Sequence, residues 1–507
     1  MSLKIPMAGA LGCGPGCDCH SPGADGGRTI DAVLGGTRAW CPRCREGEQA
    51  LYSSGPEGVF LERLCPELGP TRTKVAQSRR WFVERLADGV DVGAREGARP
   101  ALRGCPLDCG LCRYHLGSLR LPVFSITNQC QLSCPICFTH NRADLVYHKS
   151  PEELERILDV IEEQSTSLDL INITGGEPAL HPRLDSLLEQ CSRRSFGRVS
   201  VNTNGLRLAH DEGLALRLKE AGVQVVLSLD TLEPETSQVI HGEDIAADKL
   251  MALEMLEKHR IPTVLLPVWV PGVNDGEIPR MIGRYFARPF VKGVTIQTIA
   301  YTGRNGSRFE PRARATIEEV ENSLLPAGFK AADFFRHGSY HPLCYSVAYY
   351  LLDDSAMIPL SALADKSLLT AATRDGYLMR PTAELAASLR DKIDELWANG
   401  APREELSLLK KLVSALASGR GGQASGPSAP GGQDRGLDGL REAAEETGII
   451  KTVTIHAHMD QDNFDLARVA LCGDLVPEED GRWRPACAYN LLYRSLDPRF
   501  WAEGTPP

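Results

Sequence analysis

Leu121-Pro-Val-Phe-Ser-Ile-Thr-Asn-Gln-Cys130-Gln-Leu-Ser-Cys134-Pro-Ile-Cys137 couples an apolar, β-branched run to three cysteines in a C-x₃-C-x₂-C spacing. The first seven residues read as a buried strand. The residues between the cysteines are loop-like, so the thiolates can fold back onto one point. Three thiolates so spaced can hold three irons of a cubane cluster and leave the fourth iron open. The same spacing occurs 25 residues earlier, at Cys105, Cys109 and Cys112. Chance placement of 16 cysteines predicts about 0.02 such runs, so two mark metal chemistry. A zinc site or a purely electron-transferring cluster is the plain alternative.

Working outward, a second strand pattern over 168–173 runs into Gly175-Gly176-Glu177-Pro178. Glycines at a strand end allow close backbone approach, and the carboxylate of Glu177 can accept from a bound ammonium. Alone, such a loop is more often a turn. Further strands are predicted over 198–203, 223–229, 262–270 and 293–299, with amphipathic helices between them. The first helix opens at Pro151 with acidic residues in its first turn, as the helix dipole favours. Six β/α units in series imply a parallel sheet with right-handed crossovers. The expected fold is α/β, a partial (β/α)6 barrel, whose active site lies at the carboxyl ends of the strands. Asn204, Ser228 and Asp230 stand at those ends and suit a ribose or a carboxylate, or simply cap loops. Gln297 and Arg304 extend the rim; Arg304 reads equally as an anion clamp or as a surface ion-pair residue.

Around the barrel region (121–330) the chain divides further. Residues 1–36 are a Gly- and Cys-rich tail holding Cys13, Cys17, Cys19 and His20. Residues 37–87 form a rubredoxin- or zinc-ribbon-like module with Cys41, Cys44 and Cys65 as metal ligands, for zinc or iron. Residues 88–120 carry the first cysteine run. A mostly helical extension is expected over 331–417, with a helical hairpin from 381. A Gly/Ser/Pro-rich linker spans 418–437. An α+β C-terminal cap over 438–507 returns Cys472 and Cys487 to join Cys344 at another cluster, with buried structural cysteines the alternative. Cys191, on a helix, reads as core.

The net charge of −10 over 507 residues argues against broad nucleic-acid binding. No apolar run reaches membrane-spanning length, and no signal-peptide pattern opens the chain. Clustered cysteines without a signal peptide favour metal thiolates in a reducing, cytoplasmic setting over disulfides.

Strand, cysteine triplet and Gly-Gly-Glu-Pro loop together resemble the radical SAM superfamily. That resemblance implies a [4Fe-4S] cluster on Cys130, Cys134 and Cys137, with S-adenosyl-L-methionine bound on the open iron and by Gly175, Gly176, Glu177, Pro178, Asn204, Ser228 and Asp230. Reductive cleavage of the sulfonium would yield a 5′-deoxyadenosyl radical for C–H activation. The segment Cys105-Pro-Leu-Asp-Cys109-Gly-Leu-Cys112, with His115, the N-terminal knuckles and His458-Met-Asp-Gln-Asp-Asn463 resemble the archaeal group that contains the tetraether lipid synthase and pterin-methylase-type enzymes. The resemblance covers roughly residues 37–350 and 449–495. It implies one or two auxiliary clusters, a ferredoxin- or flavodoxin-like reductant, and carbon–carbon bond formation or methylation on a lipid or pterin-like substrate. A lipid substrate would bring contact with a membrane surface.

Three positions depart from that group's pattern. Leu68 stands where the second knuckle carries His, Ser339 replaces the first cysteine of a pair ending at Cys344, and Gly473 follows Cys472. A radical SAM peptide maturase and a non-catalytic iron–sulfur electron carrier are the other readings. A lipid predicts a long apolar channel; a pterin predicts a short polar cleft.

Overall fold

The computed structural model describes residues 3–5, 31–41, 44–65, 67, 69–87, 89–92, 103–110, 112–141, 145–164, 168–194, 196–310, 312–352, 356–380, 382–400 and 450–501. Cys13, Cys17, Cys19 and His20, the linker 418–437 and the second helix of the expected hairpin lie outside these residues.

Six parallel strands form the barrel in chain order: Leu121–Thr127, Ile171–Gly175, Val199–Thr203, Gln224–Ser228, Thr263–Leu266 and Val291–Thr298. The fifth breaks at Pro267, which has no N–H to give the ladder, and resumes as Val268–Trp269. Helix Pro151–Gln164 starts in a reciprocal cap: Glu153 N donates to Ser150 Oγ at 3.1 Å and Ser150 N to Glu153 Oε2 at 2.6 Å. Its buried Leu154, Ile157, Leu158 and Ile161 recur at helical spacing and pack on Phe124, Ile126 and Ile173 of the sheet.

Two more parallel strands flank the six. Ile450–Ala457 pairs with the sixth strand, and Asp474–Pro477 with the first. The open barrel therefore has eight parallel strands among the described residues, the last two supplied by the C-terminal cap rather than by further β/α repeats.

Residues 331–417 are not mostly helix at their start: Tyr345–Leu352 is a strand, antiparallel to Ile450–Ala457. Nearly every one of its side chains is buried, so it shows a continuous apolar run without the alternation that marks a strand. Helices Lys366–Ala372 and Ala383–Ala398 follow. Leu3–Ile5 pairs with Val90–Val92, and the N-terminal sheet begins at Ala32. That sheet has four antiparallel strands, Ala32–Cys41, Glu46–Gly55, Gly58–Cys65 and Gly69–Ala76, followed by helix Arg79–Leu86. No helix among the described residues is long and apolar enough to cross a membrane.

Candidate functional site

Cys130, Cys134 and Cys137 lie on the loop leaving the first barrel strand, and the middle thiol, Cys134, feels the charge of both others. A turn with Cys137 N donating to Cys134 O at 3.0 Å shapes the loop. The segment after the sixth strand holds it from above. Asn305 Nδ2 donates to the carbonyls of Ser133 and Cys134, both at 3.1 Å, and Gly306 N to Cys137 O at 2.9 Å. A side chain at Gly303 would strike Phe138 backbone at 2.3 Å. Two amides face the sulfurs: Asn141 Nδ2 stands 3.5 Å from Cys137 and Asn204 Nδ2 4.0 Å from Cys130. Burial and the neighbouring thiols push the Cys134 thiol up. Three thiols on one loop, two of them facing amide N–H donors, fit a cluster bound through its cysteines.

The Gly-Gly-Glu-Pro loop lies directly against the cysteine loop. Gly176 N donates to Thr127 O and Glu177 N to Gln129 O, both at 2.7 Å. Cβ atoms on Gly175 and Gly176 would come within 2.2 Å of the carbonyl oxygens of Thr127 and Gln129. Glu177 itself is 1% exposed. Its carboxylate accepts from Ala179 N at 2.9 Å, Thr203 Oγ1 at 2.8 Å and Asn204 N at 2.7 Å. It ties the second strand's loop to the third's, and burial pushes its pKa up despite those donors. Pro178 opens a short 3-10 turn on that cap. Asp230 is equally committed to the fold: it accepts from Val268 N at 2.7 Å and Ser228 Oγ at 3.1 Å, and pairs with His241 at 3.0 Å. Burial opposes its ionisation, but His241 and Lys249 outweigh that and hold its pKa down.

Lys249 lies among the candidate site residues, although the sequence reading did not name it. It is fully buried, and its Nζ donates to Asn204 O and Ser228 O, each at 2.7 Å. It thereby joins two candidate strand ends beneath the cysteine loop. Burial lowers its pKa, and Asp230, Cys134 and Glu177 oppose that shift. The available signal was positional: Lys249 falls on the same helical stripe as buried Ala252, Leu253 and Leu256.

Phe138, next to Cys137, stacks on His458 with ring centroids 4.9 Å apart. His458 lines a small open cleft together with the polar side chains of Lys74, Arg314, Asn463 and Arg468 and the apolar ones of Trp81, Ile299 and Leu343. The His458 Nε2 atom is buried without a hydrogen-bond partner. Arg304 sits over the Trp501 ring at 5.6 Å, and its N–H donates to Thr139 O at 3.2 Å. Gln297 donates its backbone N–H to Pro267 O at 2.9 Å within the sheet.

Nine further cysteines of the described residues lie in three groups. Cys105 lies against Cys109, and Cys109 beside Cys112. His115 of the same segment contacts Cys472 O at 2.9 Å. Cys344, Cys472 and Cys487 come from separate segments, Cys472 feels the charge of both others, and burial pushes all three thiols up, Cys487 to about 12. Arg468 Nε lies 3.3 Å from Cys344 Sγ, and Cys487 Sγ lies 3.6 Å from His458 Nδ1. Cys41, Cys44 and Cys65 converge. Cys191 is a buried core residue.

Residues 124–284 match the sequence profile of the radical SAM superfamily. Over 500 residues, 90% of this chain and 94% of the relative, the chain is 26% identical to a 7,8-dihydro-6-hydroxymethylpterin dimethyltransferase of Methanocaldococcus jannaschii. A probable GTP 3′,8-cyclase of Pyrococcus abyssi is 32% identical over 155 residues, 30% of this chain; the match spans 49% of the cyclase. Among solved structures, Streptococcus suis SuiB bound to S-adenosylmethionine aligns at a TM-score of 0.32 with 18% identity, over 36% of this chain and 42% of SuiB. A methylornithine synthase aligns at 0.33 with 16% identity, over 41% and 64%.

Proposed function

We propose that this enzyme, a member of the radical SAM superfamily, methylates a reduced pterin or a similar fused heteroaromatic. The observation that carries this reading is the full-length likeness to a dihydropterin dimethyltransferase, which extends through the N-terminal module and the C-terminal cap, well beyond the barrel. The cleft beside Phe138 supports it. Its lining offers Lys74, Arg314, His458, Asn463 and Arg468 as polar groups beside apolar Trp81, Ile299 and Leu343, a mixed surface that suits a heteroaromatic ring.

When bound, the cluster and one S-adenosylmethionine would supply the 5′-deoxyadenosyl radical that takes the hydrogen of a C–H bond, a second S-adenosylmethionine would give the methyl group and leave as S-adenosylhomocysteine, and the reductant would supply the two electrons that balance the exchange. In this reading Cys130, Cys134 and Cys137 are the cluster ligands. Gly175 and Gly176 let the backbone lie close enough to the cysteine loop to build a narrow edge-on site. Glu177 and Lys249 act as positioning residues that lock the Asn204 and Ser228 strand ends against that loop. Phe138 and His458 separate the cysteine loop from the cleft, and His458 Nε2 offers a polar atom to a ring nitrogen or carbonyl. Cys105, Cys109 and Cys112, and then Cys344, Cys472 and Cys487, are the auxiliary-cluster ligands. A ferredoxin- or flavodoxin-like protein is the reductant.

The test is anaerobic reconstitution with iron and sulfide, then incubation with S-adenosylmethionine, dithionite and 7,8-dihydro-6-hydroxymethylpterin. Mass spectrometry should find the pterin carrying one or two added methyl groups, together with 5′-deoxyadenosine. Both should vanish in Cys130→Ala. Release of 5′-deoxyadenosine with an unmodified pterin would overturn the substrate class and keep the radical chemistry.

A further inference from the structure

The N-terminal knuckle shows three cysteines in sequence, and Leu68 stands where a fourth ligand is expected. The fold supplies a donor from elsewhere. Cys41 ends the first strand of the four-stranded sheet, Cys65 ends the third, and Cys44 lies in the turn between the first two. Glu48 stands on the second strand, paired with Ala39 two residues before Cys41. Cys41 Sγ and Cys44 Sγ lie 3.4 and 3.2 Å from Cys65 Sγ. One donor atom from each of Cys41, Cys44, Cys65 and Glu48 falls within 4.8 Å of all the others. Glu48 Oε2 is buried and has no hydrogen-bond partner.

These distances select among metal groups. Tetrahedral zinc with Zn–S bonds of about 2.3 Å sets its sulfurs about 3.8 Å apart, close to the spacing seen. A cubane cluster holds its cysteines on different irons and needs them farther apart. A disulfide would require contact near 2 Å, and all three cysteines are free. A buried carboxylate oxygen without a donor is costly, and a cation is the partner this pocket can take. Zinc accepts a mixed thiolate and carboxylate set without a preferred d-electron geometry.

We propose that Cys41, Cys44, Cys65 and Glu48 form a mononuclear zinc site, with Glu48 as the fourth ligand. The ion pins the end of the first strand at Cys41. The residue before it, Trp40, donates its N–H to Phe464 O at 2.9 Å and accepts at its carbonyl from Arg63 Nη1 at 2.8 Å. The same Arg63 nitrogen reaches Gln461 O at 2.8 Å. The metal thus steadies the module against loop 458–465, which carries His458 to the cleft.

The experiment uses the full-length protein with its iron–sulfur clusters reconstituted anaerobically, and it reads metal rather than turnover, so it stands apart from the methylation reading. Elemental analysis should find one zinc per chain beside the cluster iron, and Cys41→Ser should lose it. In competition with a chromophoric chelator, Glu48→Gln should weaken zinc binding by about 10- to 100-fold. Glu48→Cys should restore tight binding and, after cobalt substitution, strengthen the thiolate-to-metal charge-transfer band. A Glu48→Gln protein with unchanged zinc affinity and cobalt spectrum would overturn the assignment. So would zinc retained in Cys41→Ser, or iron in place of zinc at this site.

Discussion

The hydroxyl of Tyr345 donates to Asp474 Oδ2 at 2.6 Å, across two flanks of the open barrel that backbone pairing does not join. Tyr340 donates to the other carboxylate oxygen, also at 2.6 Å, and His456 Nε2 lies 3.6 Å from Asp474. Tyr345 follows Cys344, and Asp474 lies two residues beyond Cys472, so the side-chain bridge also gathers those cysteines. Removing one donor leaves a buried carboxylate oxygen unsatisfied, which costs about 1–3 kcal/mol. Tyr345→Phe should therefore lower thermal stability by that amount. It should also reduce the iron bound per chain while leaving the Cys130 site loaded, which electron paramagnetic resonance of the reduced protein can separate.

Lys249→Met keeps the bulk of the side chain and deletes its charge. The carbonyls of Asn204 and Ser228 then lose their buried donor, and Asp230 and Glu177 lose a nearby cation. Breaking a buried charge network by removing one partner costs about 3–5 kcal/mol. We expect destabilisation of that order and S-adenosylmethionine affinity lowered about tenfold, read by equilibrium dialysis of the reconstituted protein. Unchanged affinity would remove Lys249 from the positioning machinery.

Gly176→Ala places a methyl carbon 2.2 Å from Gln129 O, a backbone atom that has no side-chain freedom to yield. Overpacking of this kind costs about 1–3 kcal/mol. Because the displaced segment leads into Cys130, iron at the Cys130 site should fall with the melting temperature. Gly222→Ala, at a glycine whose added Cβ meets no neighbour although its φ is +64°, should lose stability through the backbone alone and keep its iron.

His337 gives the fold an acid-sensitive point. It is buried, it contacts Tyr377 O at 3.0 Å, and burial lowers its pKa from 6.5 to about 4. The unfolded chain therefore takes up a proton below pH 6.5 that the folded chain refuses. Its contribution to stability is intact above pH 6.5 and is lost as pH falls toward 4. Between pH 7 and pH 5.5 the wild type should lose about 1 kcal/mol more than His337→Gln, measured by denaturant unfolding at each pH. Equal losses in the two proteins would contradict the assignment.

Much of this was legible from local pattern. The strand before Cys130, the Gly-Gly-Glu-Pro loop and the helix opening at Pro151 each carry a short-range signature, and all three form where the residues place them. Cys130, Cys134 and Cys137 share one loop because their spacing confines them to it. Glu177 and Asp230 were legible as strand-end carboxylates, but their inward hydrogen bonds were not. Which donors surround a buried carboxylate depends on how separate loops stack.

Sequence by itself determined the repeating β/α core, since periodicity and strand-end glycines act within a few residues of one another. Tertiary structure alone decided the rest. It made strands of Tyr345–Leu352 and Asp474–Pro477 and set them at the barrel's flanks. It turned Lys249 inward from a helix, and it brought Glu48 to three cysteines that lack a fourth ligand in their own motif. Each of these depends on contacts between segments far apart in the chain, where burial and electrostatics override the local preference of a lysine for solvent or of an apolar run for a helix.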